Sequence, residues 1–134
     1  MDAILRFFRH YGLSICVGLT ILYLCMKPAG EHNMMFGSVP NIDKVVHCLM
    51  YFGFTFCICL NFYQQNTSFK SVPMIMWALI IPILYGGLIE IMQEELTATR
   101  SCDLFDFFAD SVGSILGYFF SAWYIPKHFK ENEY

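Results

Sequence analysis

The sequence predicts an all-α fold: an integral membrane four-helix bundle, wound up and down, with both termini cytoplasmic. Three observations carry this. Of the 134 residues, 57% are hydrophobic and only 14% are charged, where a soluble domain carries roughly 25% charged residues. The apolar residues fall into four runs, each long enough to cross ~30 Å of hydrocarbon as a helix. The charged residues within or beside those runs gather toward their ends. Open strands are excluded in lipid, because their backbone groups would lack partners. The chain is read as one domain over residues 1–134. A net charge of −3 argues against a basic nucleic-acid binder, so no nucleic acid partner is expected.

The first span runs over about residues 7–26 and ends at Lys27-Pro28-Ala29-Gly30. Arg6 and Arg9 ahead of it resemble a signal peptide. Tyr23 and Leu24 are too large for a lipobox before Cys25, so the segment reads as an uncleaved membrane helix with Met1–His10 along the interface. The second span covers 42–63, with Asn41 placed to cap it. The polar turn Gln64–Ser68 follows. The third covers 72–92, with Ser71 as its cap, Pro73 tolerated in the first turn and Pro82 placed to kink it. The fourth covers 104–125, between Asp103, a capping residue, and Pro126. Five of the six cysteines lie in or beside these runs, without a CxxC motif, and read as small buried hydrophobes rather than a disulfide framework.

Orientation follows from lysine and arginine. Arg6, Arg9, Lys70, Lys127 and Lys130 fall on one side; Lys27, Lys44 and Arg100 fall on the other. The bias puts the termini and the second loop inside and the first and third loops outside.

A charge at the centre of a span costs ~2.5–3.5 kcal/mol on insertion scales, so each polar position is informative. Asp43 and His47 are four residues apart and share a helix face, which Tyr51 continues. Gly86, Glu90 and Gln93 share a face of the third helix. Asp106, Asp110, Gly113, Gly117 and Ser121 form one stripe on the fourth, whose lower part is small-xxx-small and permits close helix approach. Asp43 and His47 start their helix, Glu90 and Gln93 end theirs, and Asp106 and Asp110 start theirs. In an up-down bundle those three ends meet on one membrane face, the outer one by the charge bias. Each position also has a plain structural role. Asp43 and Asp106 can complement helix dipoles, Lys44 can snorkel to headgroups, and His47 can be a packing residue. Asp110 and Glu90 lie deeper and need partners.

These residues resemble the signatures of the VanZ-like family. Asp43-Lys44-x-x-His47 opening a helix is similar to the first signature. Glu90-x-x-Gln93, then Arg100, Asp106 and Gly113, is similar to the second. The resemblance spans roughly Asp43 to Gly117. The family usually carries Asn where this chain has Asp110, and often Pro-Gly where it has Ala98-Thr99. The resemblance implies a small multi-pass protein of the bacterial inner (cytoplasmic) membrane. Its founding members are associated with resistance to the glycopeptide teicoplanin, which implies a cell-envelope role.

Three functions fit the residues. A binder would hold a polar or anionic headgroup with Asp43, His47, Glu90, Gln93, Arg100, Asp106 and Asp110, Arg100 gripping phosphate or carboxylate bidentately. Asp106 would then orient Arg100, and Glu90 with Gln93 would tie the third helix to the fourth. Its partners would be membrane lipids, a lipid-linked cell-wall precursor or a glycopeptide. A hydrolase or transferase acting on a lipid phosphate would draw on His47, Asp43 and Glu90 as catalytic candidates, with His47 held by Asp43 as general base. Glu90, Asp106 and Asp110 would be its candidate ligands for a divalent cation. No nucleophile elbow, phosphate loop or zinc motif accompanies them. A proton- or ion-coupled carrier is the third reading, for which four short helices are few.

Overall fold

The structure is a computed structural model and describes residues 1–27, 40–98 and 101–129. The described residues form helices and no strand. We number the helices α1 (Asp2–Met26), α2 (Ile42–Tyr63), α3 (Val72–Leu96) and α4 (Leu104–His128). α1, α2 and α3 are long and apolar enough to cross a membrane. α4 is as long as α1, at 25 residues, but is not among the helices apolar enough for a span. The reason is the polar stripe of α4, which the bundle itself covers: Asp110, Gly113, Ser114, Gly117 and Ser121 are all buried.

Helix boundaries follow local chemistry. Nothing breaks the chain between Asp2 and the first glycine, Gly12, so α1 starts at Asp2 and runs on without the separate interfacial segment expected at Met1–His10. Asn41 holds the N-cap position of α2 in the left-handed region (φ 61°) but makes no side-chain cap bond. Ser71 does cap α3, its Oγ accepting from the Met74 N–H at 3.4 Å. Proline has no N–H, and its ring crowds the carbonyl four residues back, here Ala78. The turn Met76–Ile80 is a π-helix, with the Ile81 N–H reaching the Met76 carbonyl. This wide turn accommodates Pro82 inside a continuing helix. α4 also passes through Pro126 and stops only after His128.

The closest helix pair is α2 and α4, which run parallel. A Cβ on Gly113 would lie 2.2 Å from the Cys48 carbonyl oxygen, and one on Gly117 would lie 2.7 Å from that of Phe52. Only glycine permits this approach, as the small-residue stripe implies. α3 lies antiparallel to both. α1 packs on α2 and α3, with Gly18 seating the Phe54 ring. None of the six cysteines is in a disulfide, and Cys25 and Cys59 are buried in the core. Leu19, Leu49, Leu84 and Phe119 are exposed on the outer surface of α1, α2, α3 and α4 in turn. An apolar exterior around polar internal contacts suits a lipid surround.

Candidate functional site

The start of α2, the end of α3 and the start of α4 lie together at one end of the bundle. The α2–α3 turn lies at the other, where Tyr11 of α1 reaches Gln65 and Tyr118 of α4 reaches the Phe69 carbonyl.

The polar end has two layers. The deeper consists of His47, Glu90 and Asp110, which are 4%, 2% and 0% exposed. His47 faces α4 because Cys48 beside it is pressed against Gly113. Its Nδ1 lies 2.9 Å from Asp110 Oδ1. Asp110 fits against α3 because Gly86 has no side chain: a Cβ there would lie 2.8 Å from Asp110 Oδ2. Glu90 stands one turn further along the same face of α3. Its Oε2 accepts the Asp103 backbone N–H at 3.0 Å, tying the end of α3 to the start of α4. Two oxygens are left over. Glu90 Oε1 and Asp110 Oδ2 are buried without a hydrogen-bond partner, as is the Tyr51 hydroxyl. A buried acceptor without a partner costs about 1–3 kcal/mol, so the arrangement is unfavourable for the protein alone. His47, Glu90 and Asp110 can each offer one donor atom to a common ion, these atoms lying within 4.8 Å of one another.

The outer layer is half-exposed. Lys44 Nζ lies 3.3 Å from both Asp103 Oδ2 and Asp106 Oδ1. Asp106 Oδ2 is 4.0 Å from His47 Nε2, linking the two layers. Asp103 caps α4 through Phe105, whose N–H lies 2.8 Å from Oδ1. That bond first, and Lys44 second, hold its carboxyl below the usual carboxylate range.

The sequence-derived candidates thus divide. His47, Glu90, Asp106 and Asp110 come together. Asp43 does not join them: it is exposed in the first turn of α2, and the carboxylate at the His47 imidazole belongs to Asp110. Spacing along one helix places side chains on a common face, but packing decides which neighbour they meet. Gln93 is buried, yet it faces α1 rather than α4, donating to the Cys25 carbonyl at 2.8 Å. Of the two ties expected from Glu90 and Gln93, Glu90 makes the one to α4. Arg100 lies outside the described residues. Two contributors were underweighted in the sequence. Lys44 bridges two acids rather than only reaching for headgroups, and the Tyr51 hydroxyl is buried one turn below His47. The i+4 step from His47 to Tyr51 was the signal for the second.

The family model for VanZ/LLP1 matches residues 6–125. The chain therefore belongs to that family, and with its long apolar helices it is a membrane protein. No curated protein and no solved structure matches it.

Proposed function

We propose that this VanZ/LLP1-family protein binds the polar or anionic headgroup of a membrane amphiphile at the shared end of α2, α3 and α4. The bound molecule is a phospholipid or a lipid-linked wall precursor in the bacterial cytoplasmic membrane. The observation that supports this is the graded site on an otherwise apolar molecule. Lys44, Asp103 and Asp106 form a half-exposed rim at the end of the helices, where headgroups lie. Directly behind that rim are the unpartnered oxygens of Glu90 and Asp110. Lys44 can exchange a carboxylate for a phosphate, and the freed acids can accept headgroup hydroxyls or ammonium protons. The lysine and arginine bias orients this end outward, toward the wall and toward glycopeptides, which connects the site with a role in glycopeptide resistance.

Native mass spectrometry of the purified protein tests the reading. Phosphate-bearing lipids should stay on the wild type and be lost from Lys44→Ala and Asp106→Asn. Equal retention by all three proteins would contradict it.

A second reading has its own support. The His47–Asp110 pair holds an imidazole in fixed orientation beside a carboxylate, which suits a general base acting on a lipid phosphate. Phosphate release from a polyprenyl phosphate or diphosphate, abolished by His47→Ala, would favour hydrolysis over binding alone.

A further inference from the structure

We propose that His47, Glu90 and Asp110 form a divalent-cation site behind the rim of Lys44, Asp103 and Asp106. The inference deepens the headgroup reading by giving the site a second positive charge beneath Lys44.

Geometry and unmet bonding carry it together. The three residues come from three different helices and are all buried, and one donor atom from each lies within 4.8 Å of the others. Metal–ligand bonds of ~2.0–2.2 Å place neighbouring donors about 3 Å apart. His47 Nδ1 and Asp110 Oδ1 stand at 2.9 Å, a separation that fits a shared proton or one edge of a coordination shell. Glu90 Oε1 and Asp110 Oδ2 have no other partner. These acceptors belong to side chains at least nine-tenths buried. A purely structural polar network would have closed on itself with neutral donors, as buried polar groups ordinarily do. Here two carboxylates and an imidazole lie together, one donor atom of each within 4.8 Å of the others. A cation replaces the proton between His47 and Asp110 and gives the spare oxygens a partner.

The donor set selects the ion. One imidazole nitrogen with carboxylate oxygens suits manganese, iron or zinc better than the all-oxygen shells preferred by calcium and magnesium. Three protein ligands leave coordination positions open to a further ligand. A phosphate oxygen from the headgroup can occupy one. The ring nitrogen that Asp110 does not contact lies 4.0 Å from Asp106 Oδ2, an ion-pair rather than a hydrogen-bond distance.

Manganese is the probe of choice, because cysteine thiols compete poorly for it. The full-length protein, stripped with chelator in detergent without added lipid, is titrated with Mn²⁺ and followed by electron paramagnetic resonance of the free ion. The expected result is one bound equivalent. Affinity should fall at least about tenfold in Glu90→Gln and Asp110→Asn, since one lost ligand costs a comparable factor or more, and be unchanged in Asp43→Asn. Both weakening variants are near-isosteric, and monodisperse gel filtration with wild-type circular dichroism establishes that they fold. Absence of binding by folded wild type at millimolar Mn²⁺, or equal binding by all variants, overturns the proposal. Lipid retention is read separately. Phospholipid that stays bound in a Lys44-dependent manner without any Mn²⁺ site leaves the headgroup reading standing and removes the ion. A Mn²⁺ site without lipid retention does the reverse.

Discussion

The two ends of the bundle solve the problem of polar groups among apolar helices in different ways. At the end with the α2–α3 turn, the paired side chains of Asn61 with Ser14 and Tyr11 with Gln65 are neutral and bonded to each other. Asn61 Nδ2 lies 2.6 Å from Ser14 Oγ, and the Tyr11 hydroxyl reaches Gln65 Oε1 at 3.0 Å. Further along, the Tyr85 hydroxyl reaches the Gly18 carbonyl at 2.8 Å. These bonds border an apolar cavity of about 520 Å³, lined by Phe54, Ile58, Phe62, Trp77 and Ile81 among others. At the opposite end the buried groups are ionisable, and two of their oxygens are unpartnered. The first pattern is that of a structural network, which rigidifies when fully satisfied. The second keeps bonding capacity for something else. The difference separates polar residues that hold the fold from polar residues that use it.

Substitutions can sharpen or break that contrast. The largest effect is expected at Gly113, on which the approach of α4 to α2 depends. Gly113→Val places a side chain against backbone, so its cost should reach or exceed the ~3 kcal/mol upper range of ordinary overpacking. Thermal unfolding in detergent should show a large drop in midpoint or no folded protein. A tolerated Gly113→Val would mean the helices are further apart than described. At the satisfied end, Asn61→Ala strands the Ser14 hydroxyl and should lower stability by about 1–3 kcal/mol, with Mn²⁺ and lipid binding unchanged. Glu90→Gln should do the opposite. Removing a buried charge that lacks a full complement of partners should raise the stability of the metal-free protein by about 1 kcal/mol, while Mn²⁺ affinity falls at least about tenfold. Should Glu90→Gln destabilise as Asn61→Ala does, the two ends are alike and the contrast fails.

The smallest effect concerns pH. Asp103 has a folded-state pKa held below its ordinary value by the Phe105 N–H and Lys44. Its contribution is therefore fully present above the ordinary carboxylate pKa and disappears as pH falls through the lower folded value. The melting temperature should decline on acidification through that window, and the decline should be shallower in Asp103→Asn. An identical slope in the variant would show that the ionisation of Asp103 contributes nothing measurable.

Much of this arrangement was legible in the sequence, and the exceptions share a cause. The apolar runs gave α2 its observed bounds and α3 and α4 their observed starts, and fell a few residues short of their ends at Leu96 and His128. Helical spacing with up-down connectivity brought His47, Glu90, Asp106 and Asp110 to one end. Gly113 and Gly117 read correctly as a close-contact stripe. What spacing along one helix cannot supply is the rotation of that helix toward its neighbours. Asp43 and His47 share a face by arithmetic, yet the contact of Cys48 with Gly113 turns His47 to Asp110 and leaves Asp43 outside. Gln93 follows Glu90 at i+3 and still meets α1. Pro82 in the sequence implies a distortion but not its form, because a kink and the observed π-turn over Met76–Ile80 answer the same missing N–H. The unpartnered oxygens are invisible in any sequence, since an orphan is defined by what fails to surround it.

Central to the account is the bond between His47 on α2 and Asp110 on α4. Nitrogen-15 NMR of histidine-labelled protein, assigned by loss of the signal in His47→Ala, reads it directly. The account predicts that Asp110→Asn shifts the His47 Nδ1 resonance and alters its titration, whereas Asp43→Asn leaves both in place. A His47 signal that responds to Asp43 and ignores Asp110 would contradict it.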